Sequence, residues 1–377
     1  MKIVVAKETN PHEHRVALVP ASVAQLTKSG AEVLVEAGAG AGALFTDAAY
    51  EQAGAKVAGS TQEAWSQADI LLKVSPPTEQ EVGQLPSGST IISFMNPLGN
   101  PQIIEKLATR GVTALSMELV PRISRAQAMD ALSSQAGVAG YKAVLVASEA
   151  LGKFFPMLIT AAGAIPPARV LIIGAGVAGL QAIATARRLG ASVEAFDIRP
   201  AAKEEVQSLG AKFIDVSLAE TTTAAGGYAS EVSDEAKRHE QEVLTDHVRQ
   251  SDVVITTAQV PGRKAPLLVS QEMVEAMSPG SVIVDLAAEQ GGNVALTEAG
   301  KTIDHNGVKI IGPINLPSTV PVHASQLYSK NVVSLLLLIA PKGELKLDFD
   351  DEIITNCCVT HEGAIRNERV KAALAAG

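Results

Sequence analysis

Three glycines, Gly174, Gly176 and Gly179, followed eighteen residues after the last by Asp197, make the spacing in this chain with the most chemistry in it. They stand between a short apolar run, Val170–Ile173, and a helix-forming stretch that reaches about Leu189. A second apolar run, Ser192–Phe196, ends on the acid. Gly174 permits a tight turn, Gly176 lets backbone approach a pyrophosphate, and Gly179 lets helix and strand pack closely. Backbone N–H groups at the helix start, those of Val177 and Ala178 among them, then face phosphate oxygens. A carboxylate at Asp197 can accept from both hydroxyls of an adenosine ribose, with Ile198 and Arg199 next to it in sequence. Strand, glycines, helix, strand and acid together predict a dinucleotide site. The acid repels the extra phosphate of NADP, so NAD(H) is the expected cofactor. Arg199 keeps NADP open, and reads equally well as a solvated residue before the turn at Pro200.

Three further stretches carry polar groups at useful spacings. Arg122–Gln135 reads RISRAQAMDALSSQ, in which Ser124-x-x-Gln127 has the form of a helix capping box. Gln127, Asp130 and Ser133 are spaced by three and would spread over about a third of a helix circumference. Amide, carboxylate and hydroxyl on one face can hold a carboxamide, which needs an acceptor and a donor; capping and carboxamide binding both remain open for Gln127. Thr256–Pro261, TTAQVP, follows an apolar strand, and its Thr257, Ala258 and Gln259 either line a nicotinamide ribose or form an ordinary strand-to-helix loop. The stretch 217–233 is long where most connections run about 4–6 residues. It is either a surface loop or a lid over bound nucleotide, with Gly226-Gly227 as hinge and Tyr228 as contact.

These residues need a scaffold, and the rest of the chain supplies the pattern for one. Strands are expected at Lys2–Ala6, Glu32–Glu36, Ile70–Val74, Thr90–Phe94 and Thr113–Ser116, with helices such as Ala21–Ser29 and Gln102–Arg110 between them. That alternation predicts a parallel sheet. Ser133–Lys153 reads as a long helix leaving this region, and Ala324–Ile339 as a second. Between them, from about Ala161 to Pro313, the glycine motif is followed by strands at Lys212–Val216, Asp252–Thr256, Ser281–Asp285 and Val308–Ile311. The expected fold is α/β, with two Rossmann-like doubly wound parallel-sheet domains joined by long helices. One domain takes residues 1–135 plus 325–377 and the nucleotide-binding domain takes 136–324, with a cleft between them. A second glycine stretch, Gly38-x-Gly40-x-x-Ala43, lacks an acid after its next strand-like run, Lys56–Ala58, and reads as a plain turn.

Composition narrows the function classes. At 377 residues the chain exceeds the size of a single core, and 47% hydrophobic with 19% charged residues suits a globular α/β protein. A net charge of −9 and scarce aromatics argue against nucleic acid and anionic membrane surfaces. The two cysteines, Cys357-Cys358, are adjacent, so a bridge would be strained and close no loop; they are expected to be reduced thiols. The seven histidines show no ligand spacing, and no metal is expected. The opening MKIVVAKE reads as a strand and not a signal peptide, and the apolar run Val332–Ala340 is too short for a span of about 20 residues.

Taken with KETNPHEHRVALVP at the start and DLAAEQGGN at 285–293, the segment Arg122–Gln135 resembles the NAD(H)-binding component of the proton-translocating nicotinamide nucleotide transhydrogenases, in the alanine dehydrogenase/transhydrogenase superfamily. The resemblance covers essentially the whole chain and corresponds to the first of the two polypeptides of a split alpha subunit. It implies that Asp130 and Ser133 orient the nicotinamide carboxamide, that Arg122 supports the nicotinamide end, and that Gln127 reaches towards a second nucleotide. Gly227 and Tyr228 would belong to the lid. It also implies a homodimer on the cytoplasmic side of a membrane complex, facing an NADP(H)-binding domain and membrane-spanning subunits. The activity implied is that of a Si-specific NAD(P)⁺ transhydrogenase, expressed only with those partners. The alternative is an alanine dehydrogenase: Arg15 and Lys73 match the positions that hold the amino acid there. Against it, Asn96 in SFMNPLG stands where that enzyme has its catalytic histidine, and Glu289 in EQGG where it has an aspartate. Amine oxidation needs a proton acceptor of suitable pKa, which asparagine cannot provide. A non-catalytic NAD-sensing module is a third reading.

Overall fold

The computed structural model describes residues 1–215, 234–260, 263–341 and 343–376, the side chains of 234–240 and 376 excepted. The loop expected to act as a lid, with Gly226, Gly227 and Tyr228, lies outside the described residues, as do Val216 and Pro261. The chain opens with β1 (Lys2–Val5), β2 (Glu32–Glu36), β3 (Lys56–Ala58), β4 (Ile70–Leu72), β5 (Thr90–Ser93) and β6 (Thr113–Ser116). It continues through β7 (Leu158–Thr160), β8 (Gly163–Ile165), β9 (Arg169–Ile173), β10 (Ser192–Phe196) and β11 (Lys212–Phe213). Then come β12 (Val253–Thr256), β13 (Val282–Asp285), β14 (Thr302–His305) and β15 (Val308–Ile311), and finally β16 (Cys358–His361) and β17 (Ala364–Ile365). The backbone separates into two compact units, Met1–Gln135 with Pro317–Gly377, and Ala136–Leu316.

In the first unit the strand order is β17-β16-β6-β5-β4-β1-β2-β3, with β1 to β6 parallel and β16 and β17 antiparallel at one edge. The winding 3-2-1-4-5-6 reverses between β1 and β4, the topological switch point of a doubly wound sheet. Alternation along the strands explains why both faces are covered. Ile3 and Val5 pack with Val33, Val35, Ile70 and Leu72, whereas Val4 packs on the other side with Leu71 and Ile91. Strands buried on two faces must be apolar throughout, which is why they read as continuous runs.

The second unit repeats the winding as β11-β10-β9-β12-β13-β15-β14, all parallel except β14. Val170, Ile172 and Ile255 face one core, and Leu171, Ile173 and Val254 the other. The short antiparallel strands β7, β8, β14, β16 and β17 were not expected; they are two to four residues long, too brief for a period-2 pattern to register. β11 pairs only over Lys212–Phe213, short of the Lys212–Val216 expected. Among the described residues no helix is long and apolar enough to cross a membrane.

Four helices bear on the site: α1 (Ala131–Ala150), α2 (Val177–Arg188), α3 (Pro321–Ile339) and α4 (Glu352–Cys357). α1 begins two residues before the expected Ser133 because Asp130 caps it. The Asp130 carboxylate accepts from Ser133 N–H, three positions into the helix, at 2.9 Å. α2 is fixed by close backbone approach. A Cβ on Gly179 would stand 1.8 Å from the Gly174 carbonyl oxygen, and one on Gly140, within α1, 2.0 Å from that of Ala178. Gly137, one turn earlier, has nothing within 4 Å.

The contrast is testable in the folded chain. Gly140→Ala should lower stability by about 1–3 kcal/mol through the clash with Ala178. Gly137→Ala should be neutral or add up to about 1 kcal/mol of helix propensity. Chemical denaturation of both variants checks this, and equal effects at the two positions would contradict the packing described.

Candidate functional site

In the second unit β9 runs into Gly174, whose φ of +98° only glycine adopts at low cost. Its missing Cβ leaves space for the Thr257 hydroxyl, which a side chain would meet at 2.5 Å. Gly176 is the N-cap of α2; nothing lies within 4 Å of where its Cβ would be, and no side chain caps the helix. The first helical bond is Leu180 N–H to Gly176 O at 2.8 Å. The N–H groups of Gly176, Val177, Ala178 and Gly179 precede it and form a helix-start anion cradle. Such a cradle fits a pyrophosphate.

Asp197, at the end of β10, is buried. One of its oxygens accepts from Ala175 N–H at 2.7 Å, which ties the acid to the glycine turn. Arg199 folds back onto the same carboxylate through its backbone N–H at 2.8 Å and through Nε and Nη2 at 3.0 Å each. The solvated reading of Arg199 is therefore corrected: its guanidinium is an ion-pair partner, one third exposed, and the bond to Asp197 pushes its pKa further up. Ile198 is exposed beside it.

The loop after β12 is held from beneath. Thr257 donates to Gly174 O at 2.9 Å, joining the two loops across the switch point between β9 and β12. Asn293 accepts from Ala258 N–H at 3.1 Å and donates to Ala258 O at 2.9 Å and Pro266 O at 2.8 Å. Asn293 is itself placed by Asp285, fully buried at the end of β13. That carboxylate accepts from Thr256 and Thr297 hydroxyls and from the N–H groups of Ala287, Asn293 and Val294. Gln259 is exposed and donates to Leu286 O at 2.6 Å. Asp285 and Asn293 went unnoticed in the sequence; an acid closing an apolar strand was the available signal.

Arg122, Gln127, Asp130 and Ser133 belong to the first unit. The capping box is not made: Ser124–Met129 is a 3₁₀ turn whose N-cap is Ile123, without a side-chain bond. Gln127 therefore does not share a helix face with Asp130 and Ser133, because the helix starts only after Asp130. Asp130 and Ser133 do meet, the Ser133 hydroxyl donating to the carboxylate at 2.6 Å. Arg122 and Gln127 are exposed. The rest of the segment is anchored. Arg125 forks onto Asp351 at 2.7 and 2.8 Å. Asn331 of α3 donates to Ala128 O at 2.9 Å and accepts from Ser134 at 2.7 Å. Gln135 accepts from Arg15 at 2.9 Å and donates to Ala324 O at 3.1 Å.

Arg15 and Lys73 are buried among acids of their own chain. Arg15 Nε and Nη2 each lie 2.7 Å from Glu13, and Lys73 Nζ lies 3.0 Å from Glu81 and 3.4 Å from Glu8. Burial works against the Lys73 charge, but the two glutamates more than offset it and raise its pKa. Asn96 sits at φ +45°, its loop held by Glu118, which accepts from Met95 N–H at 2.9 Å and from Asn96 N–H. Glu289 accepts from Asn315 N–H at 3.0 Å. At the second glycine stretch the Gly38 N–H is taken by Asp47 at 2.9 Å, so the turn offers no phosphate cradle there. Both cysteines are free and buried; burial pushes the Cys358 thiol up to about 12 and Cys357 higher still.

Two doubly wound units, one with an open helix start and an acid at the end of the next strand, define a nucleotide-binding α/β protein. The chain matches the Alanine dehydrogenase/PNT N-terminal domain over residues 4–139 and the Alanine dehydrogenase/PNT C-terminal domain over residues 143–368. It belongs to that family, whose membership implies a nicotinamide nucleotide as ligand. It is 47% identical to the first polypeptide of the split NAD(P) transhydrogenase subunit alpha of Rhodospirillum rubrum, covering 97% of each chain. A solved transhydrogenase from Sinorhizobium meliloti superposes with a TM-score of 0.86 at 44% identity, covering 98% of this chain and 99% of that one. Alanine dehydrogenase of Mycobacterium tuberculosis is 32% identical over 98% of this chain and 96% of its own length.

Asp351 both caps α4, accepting from Ile353 N–H at 2.8 Å, and holds Arg125. Losing the cap in Asp351→Ala should cost about 1 kcal/mol at neutral pH. The Arg125 hydrogen bond holds the Asp351 carboxyl below its usual value. Its contribution is therefore present above pH about 4 and fades as pH falls through the lowered value. Denaturant titrations of wild type and variant should converge on acidification; a gap unchanged by pH would contradict the pairing.

Proposed function

We propose that this chain is the NAD(H)-binding component of a proton-translocating NAD(P)⁺ transhydrogenase, presenting NADH for direct hydride transfer to NADP⁺ on a partner subunit. The observation that carries this is the uncapped start of α2 beside Asp197, in a chain aligned along nearly its full length with a transhydrogenase alpha-subunit polypeptide. NADH supplies the hydride, which passes between nicotinamide C4 atoms, so the protein needs neither a proton acceptor nor a metal for that step. Its own task is position and exclusion of water.

The N–H groups of Gly176, Val177, Ala178 and Gly179 hold the pyrophosphate, Gly174 shaping the turn, and Asp197 holds the adenosine ribose with Ile198 alongside. Thr257, Ala258 and Gln259 line the nicotinamide ribose, held there by Asn293 and Asp285. Asp130 takes the carboxamide N–H while the Ser133 hydroxyl turns to its oxygen, Arg122 supports the nicotinamide end, and Gln127 points to the second nucleotide. The lid roles of Gly227 and Tyr228 rest on the sequence alone.

The partners are an NADP(H)-binding domain and membrane-spanning subunits, which would hold the chain at the cytoplasmic face. A homodimer is supported by β7 and β8, an antiparallel ribbon bearing exposed Leu158, Ile159 and Ile165 near exposed Phe154 and Met157. A lone two-stranded ribbon cannot bury such groups itself. The alanine dehydrogenase alternative has the 32% identity in its favour. Against it stand Asn96 in place of a basic histidine and the occupation of Arg15 by Glu13 and Gln135, which leaves no free fork for a substrate carboxylate.

Mixed with a separate NADP(H)-binding partner, the purified chain should support hydride transfer between nucleotides, and with alanine and NAD⁺ it should form no NADH. The reverse pattern would replace this reading by the alternative. Asp130→Asn should slow transfer by about tenfold to a hundredfold while NADH binding changes little, as a misplaced ring requires. An unchanged rate removes the role from that residue.

A further inference from the structure

Asp197, assigned to the adenosine ribose, already has every acceptor position in use. Oδ2 accepts from Ala175 N–H at 2.7 Å and from Arg199 Nη2 at 3.0 Å; Oδ1 accepts from Arg199 N–H at 2.8 Å and from Arg199 Nε at 3.0 Å. A carboxylate offers about four lone-pair sites, and four donors fill them. The two backbone donors belong to the turn itself and cannot leave without undoing it. The two guanidinium donors form a side-on fork from a side chain that is 33% exposed, against 7% for the carboxylate beneath it. A ribose diol also brings two neighbouring O–H donors, so it needs the same two positions that the fork occupies.

We propose that the Arg199 guanidinium is an internal occupant of the ribose subsite, bonded to Asp197 until a nucleotide arrives and displaced by the diol when it binds. The inference rests on the NAD(H) reading of the site and deepens it. Three consequences follow from the exchange. The ion pair must open before the diol can bond, which weakens NADH binding relative to a chain without the arginine. The displaced cation remains tethered two residues from the acid and offsets part of its repulsion towards a 2′-phosphate. Arg199 therefore sets the ratio between NADH and NADPH as well as the affinity for either. A purely structural arginine would leave that ratio unmoved.

Titrating the purified chain with NADH and with NADPH, followed by nucleotide fluorescence, tests this in wild type, Arg199→Met and Arg199→Lys. Arg199→Met should bind NADH about threefold to fivefold more tightly, the scale of a partly exposed ion pair, and NADPH less tightly. Arg199→Lys keeps the charge without the fork and should fall between. NADH affinity that is unchanged or weaker in Arg199→Met overturns the inference, as does an NADH-to-NADPH ratio equal to wild type in both variants. Wild type that binds neither nucleotide would overturn the NAD(H) reading and the inference together; wild type that binds, with unresponsive variants, would overturn the inference alone.

Discussion

Around Gly174, backbone from separate segments comes closer than any side chain would allow. The carbonyl of Gly174 lies where a Cβ on Gly179 would be, the carbonyl of Ala178 where one on Gly140 would be, and the Thr257 hydroxyl against Gly174 itself. This crowding sets the start of α2 directly over the end of β9, with its first N–H groups turned outward and uncapped. Thr257 and then Asn293 extend the same contact to the loop after β12. The phosphate cradle and the ribose loop are thus one hydrogen-bonded body, and Asp285 is its root. Five donors converge on that buried carboxylate. In a low-dielectric interior such a network is rigid when every member is satisfied.

The two units share a winding and differ in what stands at its reversal. In the second, the reversal between β9 and β12 is lined by glycine, small side chains and open N–H groups. In the first, the chain leaving β1 and β4 brings Glu8 and Lys73 together, with Glu81 beside them and Glu13 on Arg15. Those charges satisfy one another within the protein. The same topology is an anion cradle in one unit and a closed ion-pair cluster in the other, and only the first chemistry suits a dinucleotide.

Much of the scaffold was legible in the residues because parallel strands covered on both faces must be apolar along their length. Val170–Ile173, Val253–Thr256 and Val282–Asp285 could hardly be anything else, and Gly174, Gly176 and Gly179 each have a backbone reason. Legibility failed where a partner lies far off in sequence. Ser124 and Gln127 had the spacing of a capping box, but Asp130 made the cap, and the segment is held by Asp351 and Asn331, about two hundred residues away. Nothing local marks those two residues. Asn293 and Asp285 were missed for the same reason.

The amino-acid sequence alone determined the winding of each sheet, the glycine turn and the acid after it, since these follow from periodicity and from φ angles that few residues tolerate. Tertiary structure alone decided which donors the buried acids receive. Asp197 shows the difference: its place at the end of β10 was plain, but its pairing with Ala175 and Arg199 was not. A hydrogen bond depends on where two groups end up in space, and a spacing along the chain specifies that only within a single helix or turn.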